Sequence, residues 1–348
     1  MPASLPGFMA SFFPQFFIPI KINTFAPRKG KMKSYLKSTT FLAIFACLLW
    51  STAFASLKIG LLYQTPLQFA GIRFFISGIL IMLVLNNTHT FLSELKQNWK
   101  FILLLGVIQI FAQYALLYSG INLVPGALGA MIVGSSPLFI AIVSHFSFHN
   151  DKMTRLKTFS IVIGVIGIAV ITLGRQKVEL KNKLEFLGIF LLLANNIISG
   201  YSNVIISKRS GGISPLVLSS AALIIGGLLL FLVSIPFEGL EMGPFPPAYY
   251  YSLTWLSLLS AVAITIWYTL LKRPGVKVST LNTWKFLIPV SGAILSWVIL
   301  ENEKPDVISI AGMAVIAVSL ALLNYANRKV AKSLRNGLPK PPGCPSCI

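Results

Sequence analysis

Ten apolar runs, each about as long as a bilayer is thick, constrain this chain more than anything else in it. They fall at residues 40–60, 66–85, 100–120, 124–147, 156–174, 186–206, 215–235, 252–271, 278–300 and 306–325. A helix needs ~20 apolar residues to cross a ~30 Å hydrocarbon core. The links are short and carry Pro or Gly, as in YQTP, SGGISP and KRPG. Composition agrees: 55% of the 348 residues are hydrophobic and 11% are charged, against about 25% charged in a soluble domain. The expected class is an all-α integral membrane protein with the lipid bilayer as its first partner.

A net charge of +20 would point to nucleic acid in a soluble protein. Its distribution says otherwise. With the N-terminus placed inside, 21 Lys and Arg fall on inside segments, 5 on outside links and 3 within spans. Cytoplasmic loops of membrane proteins carry such an excess. The reading is a multi-pass protein of the plasma membrane, most simply a bacterial inner membrane, with both termini cytoplasmic and no nucleic-acid partner. Only the link 175–183 dissents.

The chain also repeats itself. PLFIAIVSHFSFHNDK (137–152) and PVSGAILSWVILENEK (289–304) align without a gap at an offset of 152, with six identities, and Asp151 matches Glu303. PLQFAGIRFFISGIL (66–80) likewise echoes PLVLSSAALIIGGLL (215–229). Equivalent spans are five apart, an odd number, so the halves must face opposite ways. The fold expected is ten transmembrane helices as a 5+5 inverted-topology repeat. Its parts are a cytoplasmic tail 1–39, a first five-helix repeat 40–174, an extracytoplasmic link 175–185, a second repeat 186–326 and a basic cytoplasmic tail 327–348. Residues 1–31 lack the basic start of a signal peptide and read as lying upstream of a true start at Met32. Inverted repeats are a signature of secondary transporters, in which two similar halves exchange conformations.

At this point the motifs resemble a known family. ACLLWSTAFASLKIGL (46–61), PLQFAGIR (66–73), ITIWYTLLKR (264–273) and the two copies of the repeated span look like EamA-type transporters of the drug/metabolite transporter superfamily. Asp151 stands where that family usually has Glu, and Asn150 and Asn302 where it has Gly. The resemblance implies the fold and a transporter role, and it leaves the substrate open.

Candidate site residues are the polar outliers of apolar spans. A proline inside a helix frees the carbonyl four residues back, and interrupted spans at matching places in two halves point to a transport site. Pro137 and Pro289 are therefore hinge candidates, freeing Val133 and Lys285. Three charges lie inside spans, all positive: Lys58, Arg73 and Lys285. A charge at mid-membrane costs about 2.5–3.5 kcal/mol on insertion scales, so it is usually paired or functional. Lys58 is near enough to a span end to snorkel. Lys285, beside Trp284, and Arg73 are the substrate candidates; Arg73 could equally bind helix-end carbonyls. Asn196, Ser199 and Asn203 form one polar stripe, and Gln109 and Gln113 another. Trp267 and Tyr268 could stack a planar substrate. The competing reading is that the stripes bond neighbouring helices. Trp50, Trp255 and Trp297 read as interface or packing residues, and Cys47 as packing.

Positive charge in the interior favours an anionic or zwitterionic small molecule, such as an amino acid, and transport is read as export. Proton-exchanging export of cationic drugs needs a buried carboxylate, and no span centre has one. His145 is the one His within a span and a candidate proton relay, but no coupling ion is identifiable. Asp151 and Glu303 read as caps at matched span ends. Cys344 and Cys347 are half a zinc site without a second half. No catalytic, cofactor or metal motif appears, so an enzyme is not expected. The rivals are multidrug or cationic-compound efflux, a membrane-embedded enzyme and a non-transporting sensor.

Overall fold

The computed structural model describes residues 38–85, 87–147, 154–174, 183–300, 302 and 304–336. Asn150, Asp151, Glu301, Glu303, both C-terminal cysteines, the link 175–182 and the tail 1–37 lie outside the described residues. Helix α1 is Thr39–Gly60 and α2 is Pro66–Leu85. Helix α3, Thr88–Leu105, runs through a π-helical segment, Gly106–Ala112, into α4, Gln113–Leu123. Then follow α5, Gly126–Gly134, α6, Ser136–Ser147, and α7, Arg155–Gly174. The remainder is α8, Lys183–Arg209, α9, Pro215–Glu238, and α10, Pro247–Leu271. A short α11, Val278–Asn282, leads through a 3₁₀ segment, Thr283–Phe286, into α12, Leu287–Ile299, and α13, Val307–Asn336, ends the described chain.

Among the described residues, eight helical stretches are long and apolar enough to cross a membrane. Over its described residues the protein is thus a helical, multi-pass membrane protein. Two expected spans are not among the eight: α7, and the interrupted stretch from α11 to α12. The runs explain the helices, since every backbone donor and acceptor in lipid must be satisfied within the chain.

Five helix pairs build the bundle. Helix α2 packs along α9, α7 along α13, α1 along α10, α4 along α8, and α5 across α12. The α2–α9 seam is close. A Cβ on Gly71 would lie 2.5 Å from the Phe231 nitrogen, and one on Gly227 the same distance from that of Phe75. Small residues let membrane helices approach until their backbones touch. At one end of this pair the Glu238 carboxylate accepts from the N–H groups of Leu67 and Gln68 at 3.0–3.3 Å. At the other, Glu94 accepts from the Ser214 N–H at 2.7 Å. Each carboxylate meets the positive end of a helix dipole.

Both spans that carry the repeated motif are interrupted, though not at the prolines themselves. The first breaks at Gly134–Ser135 and the second at Thr283–Phe286. Pro137 and Pro289 sit in the first turn of the helix that resumes. Proline is tolerated there because the N–H it lacks would have no helical partner. The two breaks meet: a Cβ on Gly134 would lie 2.2 Å from Cδ of Pro289.

Candidate functional site

Beside this crossing lies a cleft. Each surrounding helix contributes to it for a local reason. On α1, Trp50, Ala53, Phe54 and Leu57 recur at helical spacing and form one face. The π-helical segment widens the helix and presents Gln109, with Gln113 one turn on. Such segments often occur at functional sites. Helix α8 supplies Asn195, Asn196, Ser199 and Asn203, helix α10 supplies Trp267 and Tyr268, and the 3₁₀ segment supplies Lys285.

Eight of the nine substrate candidates thus line one cleft: Arg73, Gln109, Gln113, Asn196, Asn203, Trp267, Tyr268 and Lys285. Trp284 does not. A 3₁₀ helix turns 120° per residue, so it leaves the face on which Lys285 stands.

Several of the eight are also engaged with neighbouring helices. The Asn196 amide donates to the Ile132 carbonyl at 2.7 Å, at the first break. That carbonyl is one residue short of the expected Val133. Trp267 Nε1 donates to Asn203 Oδ1 at 2.8 Å, while the Asn203 amide donates to the Ser199 carbonyl at 2.6 Å. The Tyr268 hydroxyl donates to Gln109 Oε1 at 3.0 Å. Gln113 Oε1 is buried without a partner.

The two cations differ from these. Arg73 is 3% exposed. One guanidinium nitrogen donates to Ser260 Oγ at 2.5 Å, while Nε and Nη1 have no partner. Its carbon sits 4.4 Å from the Phe74 ring centroid and 5.4 Å from that of Tyr118. Lys285 is 7% exposed, its ammonium 5.0 Å from the Trp267 centroid and 5.6 Å from that of Trp50. Among the described residues no carboxylate lines the cleft. A buried charge without a counterion is costly, so this arrangement is suited to an anion that arrives from outside.

Other candidates lie elsewhere. The Lys58 ammonium, half-buried, donates to the Ile121 carbonyl at 3.0 Å, near the negative end of α4. His145 lies beside Phe146, outside the cleft lining. Cys47 is buried in the core, as expected. Among the described residues no group of His, Cys, Asp or Glu could hold a metal. The cleft also takes residues that were missed, Trp50, Tyr114, Ser136 and Asn195. The spacing of Trp50 with Phe54 and Leu57 was the available signal for the first.

The family model described as "EamA-like transporter family" matches residues 37–173 and again 186–325. The chain belongs to the EamA-like transporter family. It is 24% identical over 286 residues to the uncharacterized transporter YoaV of Bacillus subtilis, covering 81% of this chain and 96% of that one. It is 26% identical over 317 residues to a probable amino-acid metabolite efflux pump of Escherichia coli, covering 85% and 97%. A protein of known crystal structure shares the fold with a TM-score of 0.64 at 21% identity, over 84% of this chain and 98% of that one. Family membership gives the protein a general transporter role.

Proposed function

We propose that this EamA-like protein is a secondary active transporter that moves small anionic or zwitterionic metabolites, amino acids among them, outward by alternating access. The observation that carries the reading is the pair of buried cations, Arg73 and Lys285, lining one cleft that has no carboxylate among its described residues. The helix pairing supports ten spans in two inverted halves of five. Exchanging each span for the one five places on maps the α2–α9, α7–α13 and α5–α12 contacts onto themselves, and α1–α10 onto α4–α8. Two halves that pack this way can rock about the crossing at Gly134 and Pro289, opening the cleft to one side and then the other. Pro137 and Pro289 start the second piece of each broken span and are the proposed hinges. Export is supported by the likeness to the E. coli relative, a probable amino-acid metabolite efflux pump. The charge bias supports cytoplasmic termini in a plasma membrane.

Counterflow tests this in proteoliposomes loaded with unlabelled solute. Labelled amino acids, carboxylates and organic cations are offered in turn. The expected result is transient accumulation of a carboxylate-bearing solute, abolished in Arg73→Gln. Accumulation of organic cations alone would overturn the substrate class. Accumulation of no solute would favour the sensor reading.

A further inference from the structure

The walls around Lys285 form a cation cage that the protein fills by itself. Trp50 on α1 and Trp267 on α10 stand with ring centroids 5.0 Å apart and planes at 64°. Both line the cleft. Trp267 is fixed independently of the lysine, because its Nε1 is bonded to Asn203, which is itself tied to Ser199. The Lys285 ammonium lies within 5.6 Å of both indole centroids, the range in which an aromatic face attracts a cation. Paired aromatic faces of this kind are how proteins recognise free quaternary ammonium groups. Here the cation is covalently tethered, so a diffusing competitor meets an occupant already held at high effective concentration.

We propose that Lys285 is a built-in occupant of a cation site and sets the selectivity of the cleft against ligands that carry an ammonium group. A ligand ammonium would have to displace the lysine and then sit beside its charge. Arg73, with Nε and Nη1 unpaired, supplies the complementary half of the rule by accepting a carboxylate. Together they narrow the proposed substrates from anions and zwitterions to anions without an ammonium group. The narrowing rests on the transport reading above; the cage does not.

The full-length protein in detergent is compared as wild type, Lys285→Ala, Lys285→Met and Lys285→Ala with Trp50→Leu. Tetramethylammonium chloride is titrated against sodium chloride at equal ionic strength, read by tryptophan fluorescence and melting temperature. Lys285→Ala should give a saturable response of both signals. Lys285→Met, which keeps the cage filled without charge, and the double variant should be silent. A response from wild type equal to that of Lys285→Ala overturns the proposal, whatever the variants do. So does a cooperatively melting Lys285→Ala that stays silent; Lys285→Ser is the second vacating variant should the first not fold. Separately, wild type is titrated with phenylacetate and with phenylalanine, which differ by an ammonium group. The expected result is at least tenfold tighter binding of phenylacetate. Equal binding overturns the narrowing. No binding of either anion or zwitterion counts against the transport reading and leaves the cage result standing.

Discussion

The two interrupted spans occupy matching places in the chain, yet they are resolved in opposite ways. At the first break, Ser135 closes the gap locally. Its N–H donates to the carbonyls of Met131 and Ile132, and its hydroxyl donates to Ile132 at 2.6 Å. Asn196 adds a bond to that carbonyl from the neighbouring helix. The first break is neutral and closed by hydrogen bonds. At the second, the chain tightens into a 3₁₀ turn and presents Lys285 to the cleft, with no carboxylate beside it. One break is finished by neutral hydrogen bonds, and the other places a charge in the cleft, held against Trp50 and Trp267. The matching breaks of the two family-matched segments thus differ in what they present to the cleft.

The largest expected effect falls where the breaks touch. Valine at Gly134 would drive its Cβ into Pro289, 2.2 Å from Cδ and 2.7 Å from the nitrogen. A proline ring at that range is not the movable tip of a flexible side chain. Overpacking typically costs about 1–3 kcal/mol and sometimes more, and Gly134→Val should lie at or above the top of that range. The prediction is a melting temperature lowered by many degrees, or no cooperative melt in detergent. Gly211→Ala, at a position with open space around it, should melt like wild type. Equal melting of Gly134→Val and Gly211→Ala would mean that the crossing is not a packed contact.

Next come the charges. Arg73→Gln and Lys285→Gln should each weaken binding of a carboxylate ligand by ten- to a hundredfold, about 1.4–2.8 kcal/mol. The ligand-free variants should melt within a few degrees of wild type: each loses ring contacts, and Arg73 its bond to Ser260, but each also sheds the cost of a buried charge, and among the described residues lining the cleft there is no partner carboxylate to strand. A variant that melts early and binds normally would show the cation to be structural and would erase the contrast between the breaks.

Much of this cleft was legible because polar residues stand out against apolar spans. Arg73, Lys285, Gln109, Gln113, Asn196 and Asn203 are conspicuous for the cost of burying them, and all six line it. Aromatic residues carry no such mark. Trp50 in the cleft, Trp255 bonded to Thr52 beside it, and Trp297 half-buried against the core look alike in an apolar string. Only the position on a packed helix separates them. The breaks were half legible: the prolines located them to within a few residues. Proline tolerates a first turn better than a helix interior, so each break came earlier in the chain. The π-helical segment around Gln109 left no trace in residue spacing that we can identify.

The first break offers a smaller effect. Asn196→Ala removes one of the donors to Ile132, while the Ser135 hydroxyl and N–H remain. Hydrogen bonds between membrane helices average about 0.6 kcal/mol, so the expected loss of stability is about that size. It should show as a melting shift of a few degrees or less. A collapse comparable to that of Gly134→Val would mean that the asparagine, rather than the serine, closes the break.

The smallest effect separates two neighbours. Trp284 and Lys285 are adjacent in sequence, and a reading by proximity assigns them one role. Geometry does not, because 3₁₀ residues point 120° apart. Lys285 lines the cleft, and Trp284 is half-buried against the core instead. Trp284→Leu keeps an apolar side chain in that packing and leaves the cage of Trp50 and Trp267 untouched. Ligand affinity in titrations should stay within about twofold of wild type, below 0.5 kcal/mol. Trp267→Leu, which removes a cage wall, should change it by more. Were the two tryptophans equivalent, the turn at the second break would not be 3₁₀ in the state that binds. The segment would then rewind when solute enters, and the contrast between the two breaks would describe one conformation rather than the whole transport cycle.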